Sequence, residues 1–217
     1  MKFKTLLFAI LSFFSFSAFA QEIRINTYTA NVFDDQVQLY QGFDTYSGKI
    51  KGGLQWGAGV EVMANKYYGV ELSYLRQDTK APITKNNLNR DYTEFDLGIN
   101  YIMLGGNRYF RTGNAHLQPY FGGQLGMAIV GIQNPSLTLG TSTQSKFAWG
   151  MKGGLNIQTS AGVGIKIQAQ LLSAIQSLNG GFYFGTGGSG TEISVNSATM
   201  QFGLGAGLVF AIPTGKK

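Results

Sequence analysis

Between Ile23 and Phe210 the chain repeats a single pattern, an apolar side chain alternating with Gly, Gln, Asn or a charged residue. Leu54, Trp56, Ala58, Val60 and Val62 interleave with Gln55, Gly57, Gly59, Glu61 and Met63. Met200, Phe202, Leu204, Ala206, Leu208 and Phe210 interleave with Gln201, Gly203, Gly205 and Gly207. Successive side chains of a strand point to opposite faces, so a period of two gives one oily face and one polar face. Segments of about 10 residues with this alternation are long enough to cross a bilayer as tilted strands.

Composition limits what such strands can build. Charged residues are 13% of the chain, about half of the roughly 25% usual for soluble domains. A soluble eight-stranded barrel of the lipocalin kind would turn the apolar face inward, leaving an exterior of Gly and Gln with little charge. With the apolar face toward lipid instead, the 31 glycines and the amides fill a narrow interior, and eight strands leave just enough room for side chains. The formal charge is +6, and without Lys2 and Lys4 it is 6 − 2 = +4. That excess is too diffuse to point to nucleic acid. There is no Cys, so neither a disulfide framework nor a lipid-anchored Cys is expected.

The first residues read as a secretory signal. Lys2 and Lys4 are followed by an apolar run from Leu6 to Phe16 and by Ala18-Phe19-Ala20, a small-residue cleavage pattern. The run is too short for a transmembrane helix, which needs about 20 apolar residues. Residues 1–20 are therefore expected to be removed, leaving 21–217 as one barrel domain.

Eight strands are expected, at about 23–33, 54–65, 68–77, 91–104, 116–132, 146–159, 163–176 and 197–212. Strands two and three meet at Lys66-Tyr67, strands six and seven at Ser160-Ala161-Gly162, and strands four and five are joined by residues 105–115. The other links, 34–53, 78–90, 133–145 and 177–196, are long and polar. Alternation of short turns and long loops is the habit of outer-membrane barrels, with the short turns periplasmic. An even strand number lets the first and last strands pair and removes the edges that lipid does not tolerate.

Taken together, the signal, the eight alternating segments and the alternating loop lengths resemble the small outer-membrane barrels of the OmpA, OmpX and OmpW type. The resemblance covers nearly the whole mature chain and is architectural. It implies an all-β, eight-stranded, antiparallel, up-and-down transmembrane barrel in the cell outer membrane, reached through the periplasm. It implies as partners the barrel-insertion machinery, outer-membrane lipids and lipopolysaccharide, but no nucleic acid. Such barrels often end on an aromatic residue, whereas here Phe210 is followed by Ala-Ile-Pro-Thr-Gly-Lys-Lys. No peptidoglycan-binding segment follows the last strand, so wall anchoring is not expected.

The polar face carries the candidate site. Glu61 and Glu71 fall on strands two and three, and Lys152 and Lys166 on strands six and seven, across the ring. Arg24 on strand one and Glu94 and Asp96 on strand four complete a lumen charge network. Buried charges are costly unless paired. The network reads either as a salt-bridge layer closing the lumen or as a hydrated path or gate. On the apolar face, Tyr67, Tyr68, Tyr101, Tyr109, Phe110, Phe121 and Phe210 fall toward the short-turn rim, and Trp56, Tyr74, Phe147 and Trp149 toward the loop rim. That placement is expected of two aromatic girdles at the lipid–water interfaces.

Other motifs carry little. Residues 185–190 match G-x-G-x-x-G by letter, without the strand, helix and βαβ unit of a dinucleotide site. Asp34-Asp35 suits a turn better than a cation site. His116 is the only His, which leaves neither a zinc cluster nor a catalytic triad in view. No cofactor and no enzymatic activity are expected. Loop aromatics Tyr40, Phe43, Tyr46, Phe182, Tyr183 and Phe184 are candidates for contact with an extracellular ligand. The expectation is a structural or surface-interaction barrel. The alternative is a narrow conduit for small or apolar solutes, which an apolar inner wall would favour.

Overall fold

Alternating sequence becomes strand throughout the computed structural model, which describes residues 22–41, 44–85, 92–114, 116–133, 142–159, 162–175 and 199–214. The signal-like segment 1–20, the loop aromatics Phe43, Phe182, Tyr183 and Phe184 and the glycine-rich stretch 185–190 lie outside these residues. The strands are β1 (Glu22–Val32), β2 (Asp35–Gln41), β3 (Asp44–Ile50), β4 (Gly53–Met63) and β5 (Tyr68–Lys85). They continue with β6 (Tyr92–Tyr109), β7 (Leu117–Gln133), β8 (Ser142–Gln158), β9 (Val163–Ile175) and β10 (Thr199–Pro213).

Among the described residues, eight of the ten strands close a ring. The order runs β5-β4-β1-β10-β9-β8-β7-β6, every pair is antiparallel, and β5 pairs with β6 to shut the cylinder. The stretch expected as a long loop between the first two barrel strands instead contains the β2–β3 hairpin. Its β3 strand pairs with the upper end of β5, Tyr46 opposite Lys85 and Gly48 opposite Ile83. The barrel wall is thus taller on this side. Asp34 anchors the hairpin base, accepting the Gly52 N–H at 2.7 Å and pairing with Lys49 at 2.7 Å. Asp35 accepts the Met200 N–H from β10 at 2.9 Å.

At the opposite rim the connections are short. Asn65 Oδ1 accepts the N–H groups of Tyr67 and Tyr68 and tightens the β4–β5 turn. Gly162 takes a φ of 75° between β8 and β9, a left-handed conformation that favours glycine. The β6–β7 link is shorter than the sequence suggests, because β6 continues to Tyr109.

The outward face is oily where a membrane would meet it. Leu54, Val70, Leu104, Leu125 and Ile167 are each more than half exposed. One strand departs from the expected phase. On β6 the apolar set Leu97, Ile99, Tyr101 and Met103 faces inward and is buried, while Asp96, Gly98, Asn100, Ile102 and Leu104 face outward. A strand of 18 residues exceeds the roughly 10 needed to cross lipid. Its upper part rises above the oily belt, where a polar exterior costs nothing, so the usual polarity rule inverts there. Reading that alternation as lipid-facing shifts every side chain to the wrong face.

Candidate functional site in the barrel lumen

From the short-turn end upward the lumen holds a charged layer, an amide layer and an apolar layer. The charged layer follows from register. Glu61 and Glu71 stand directly opposite each other on β4 and β5, both essentially inaccessible to solvent. Glu71 Oε1 accepts bonds from Asn26 Nδ2 at 2.8 Å and from the Tyr28 hydroxyl. Its Oε2 accepts from Asn107 Nδ2 at 3.0 Å and from Lys152 Nζ, with which it forms a buried ion pair. Glu61 accepts from Asn107 Nδ2 at 2.7 Å, the Tyr109 hydroxyl at 2.8 Å and Asn26 Nδ2 at 3.3 Å. Lys166 Nζ lies 4.0 Å from Glu61 Oε2 and 4.9 Å from the centre of the Tyr120 ring. Arg24 stacks over Tyr109 at 4.8 Å and donates from Nε to Glu22.

Two adjacent carboxylates repel, and each loses its hydration on burial. Donors to all four oxygens and cations across the lumen offset both costs, which is the condition under which buried charge is tolerated. Space is supplied by glycine. A Cβ on Gly59 would come within 2.5 Å of Glu71 Oε1, and one on Gly69 within 2.5 Å of Glu61 Oε1.

Above this layer, amides link strands across the lumen. Tyr120 donates to Gln168 at 2.7 Å, Gln168 to Gln170 at 3.1 Å, and Gln170 to Gln55. Tyr101 donates to Gln201 at 3.2 Å. Toward the long-loop end the interior becomes a packed cluster that includes Leu75, Leu97, Ile99, Met103, Val130 and Leu172.

Of the charged residues singled out in the sequence, Arg24, Glu61, Glu71, Lys152 and Lys166 lie in the lumen. Glu94 and Asp96 do not, because β6 runs in the opposite phase. They stand on the outer face near the long-loop rim, where Glu94 pairs with Lys51 at 3.0 Å and Lys80 at 2.7 Å, and Asp96 lies 3.8 Å from Lys80. Tyr101 and Tyr109 likewise are not on the lipid face: each is 2% exposed. The remaining girdle candidates are outward. Trp56, Tyr68, Tyr74, Phe121, Phe147 and Phe210 are 36–52% exposed, and Trp149 is half-buried. Trp56 and Tyr74 meet edge to face at 6.4 Å, and Arg108 lies 5.6 Å over Tyr68. The charged layer also rests on Asn26, Tyr28 and Asn107, which no sequence motif marks, and on Tyr109, expected at the lipid interface. Asn26 and Tyr28 share strand parity with Arg24, and that parity was the signal that could have found them.

Comparison with known proteins agrees with this geometry. The family described as outer membrane protein beta-barrel domain matches residues 6–210. The chain belongs to that family. Among solved structures, it resembles the outer membrane protein OprG from Pseudomonas aeruginosa at 15% identity and a TM-score of 0.55, over 88% of this chain and 96% of that one. It also resembles Neisserial surface protein A, at 14% identity and a TM-score of 0.51 over 87% and 96% of the two chains. AlkL, determined in lipid bilayers, gives 13% identity and 0.51 over 92% and 94%. These likenesses show the fold. No curated protein matches the chain.

Proposed function

We propose that this outer-membrane barrel is a non-enzymatic structural and surface-interaction protein, closed along its axis, that works through its long-loop rim. The observation that carries the reading is the buried Glu71–Lys152 pair, backed by the apolar cluster above it. Three successive layers, charged, amide and apolar, occupy the lumen, and water would have to displace them all. The β2–β3 hairpin and long β5 and β6 raise the wall at that rim and give an extracellular ligand a surface to meet. Residues 1–20 serve export and are cleaved, the insertion machinery folds the barrel, and the aromatic girdles rest among lipids and lipopolysaccharide. The test is swelling of vesicles carrying refolded protein: a closed barrel leaves sugar-loaded vesicles unchanged, whereas swelling contradicts closure.

One observation favours a second reading, passage of small apolar solutes. Leu75, Leu97, Ile99, Val130 and Leu172 give the outer half of the lumen an apolar wall. An apolar molecule would find a matched environment there and, barred by the charged layer, would leave sideways into lipid. Uptake of an apolar dye into vesicles, lost with Ile99→Asp, favours this reading; equal uptake with and without protein removes it.

A further inference from the structure

The short-turn mouth of the barrel encloses a recess of about 630 Å³ beneath the charged layer. Its lining includes Arg24, Lys66, Arg111, Asn114, Gln118 and Gln158. Three cations face one carboxylate, Glu22, and that carboxylate already accepts the Arg24 Nε–H. Two positive charges therefore remain without an acidic counterpart among the described residues of the lining.

Two atoms indicate what the recess is built to hold. Arg24 is 4% exposed, yet among the described residues its Nη1 has no hydrogen-bond partner. Guanidinium donors are normally satisfied when buried, and an unmatched one is costly. The Gln118 side chain at the same wall also has a buried Oε1 without a partner among the described residues, and its amide can turn either end toward a ligand. Tyr109 covers one face of the Arg24 guanidinium. Planar guanidinium edges match carboxylate and phosphate oxygens, and Lys66 and Arg111 add charge at the rim.

We propose that this mouth is a binding site for a multivalent oxyanion, a phosphate or a cluster of carboxylates, with Arg24 as its floor. Because short turns face the periplasm in barrels of this family, the ligand is a periplasmic one, distinct from anything met at the long-loop rim.

The test uses the full mature chain refolded in non-ionic maltoside micelles, free of lipid phosphate, and titrated with pyrophosphate or with citrate. Arginine Nε–H and backbone amide resonances report binding. The expected result is saturable shifts at Arg24, Arg111 and Asn114 with at least one of the two anions, and none at Arg76 on the outer wall. Preference between the anions tells phosphate from carboxylate as the natural group. Lys66→Gln with Arg111→Gln, both at the rim, should fold and weaken apparent affinity about tenfold or more. Arg24→Gln should abolish saturable binding where it folds. Shifts that never saturate, that appear equally at Arg76, or that survive the Lys66→Gln, Arg111→Gln change overturn the site.

Discussion

Glu61 and Glu71 face one another on neighbouring strands, and the side-chain amides of Asn26 and Asn107 each donate to both carboxylates. Like charges so placed hold together only because every oxygen is bonded and Lys152 and Lys166 stand across the lumen. Lys152→Ala leaves Glu71 buried without its cation, a loss of about 3–5 kcal/mol. The denaturant midpoint of the protein refolded in lipid vesicles should fall accordingly. Glu71→Ala combined with Lys152→Ala should cost less than the two single changes added together. Strict additivity would show that the pair is not coupled.

The glycines beneath the carboxylates make a second expectation. In Gly59→Ala the new methyl meets Glu71 Oε1 at 2.5 Å, with backbone close behind. Overpacking of this kind costs about 1–3 kcal/mol. Gly123→Ala meets nothing within 4 Å and should leave stability nearly unchanged. Equal midpoints for the two variants would contradict the packing described around Glu71.

How far the sequence leads can be judged strand by strand. Leu54 to Val62 and Met200 to Leu208 carry unbroken alternation, and there the face assignment follows from parity alone. Register then places Arg24, Glu61, Glu71, Lys152 and Lys166 inside. On β6 the same rule misplaces Glu94, Asp96 and Tyr101. That strand outruns the bilayer, so its upper half trades a polar lumen for an apolar one, and alternation carries no sign of which face meets lipid. The β2–β3 hairpin was hidden for a different reason. Gln36, Gln38 and Gln41 make its composition loop-like, and its pairing with β5 is a long-range fact that local pattern does not encode. Asn26 and Asn107 escape a sequence reading because an amide in a strand carries no signal until the carboxylates it bridges are known.

The phase of β6 is testable directly. Leu104 is outward and 57% exposed. Leu104→Arg therefore places a charge in lipid and should cost about 2–4 kcal/mol if near the midplane. Asn100 lies outward beside Arg76 and Tyr74, at the level where the exterior turns polar. Asn100→Arg should cost about 0–1 kcal/mol, the interfacial value. The reverse ranking would restore the opposite phase.

At the hairpin base, the Lys49 ammonium and the Gly52 N–H hold the Asp34 carboxyl below the usual carboxylate range. A depressed folded-state pKa contributes stability that is present above the unfolded pKa and is lost as pH falls through the folded one. The protection factor of the Gly52 amide, its exchange corrected for the intrinsic pH dependence, should fall only at pH below the ordinary carboxylate range. In Asp34→Asn protection should be low at every pH, and a wild-type protection factor that does not change with pH would break the link. Because Asp34 is exposed, high salt should weaken the Lys49 contact.

Conductance across a planar bilayer, comparing refolded wild type with Lys152→Ala, tests most directly whether the ion-paired layer closes the lumen. Closure predicts no steady current for wild type and, where Lys152→Ala remains folded, openings as water enters beside Glu71. A steady ohmic current in wild type, equal to that of Lys152→Ala, would contradict it.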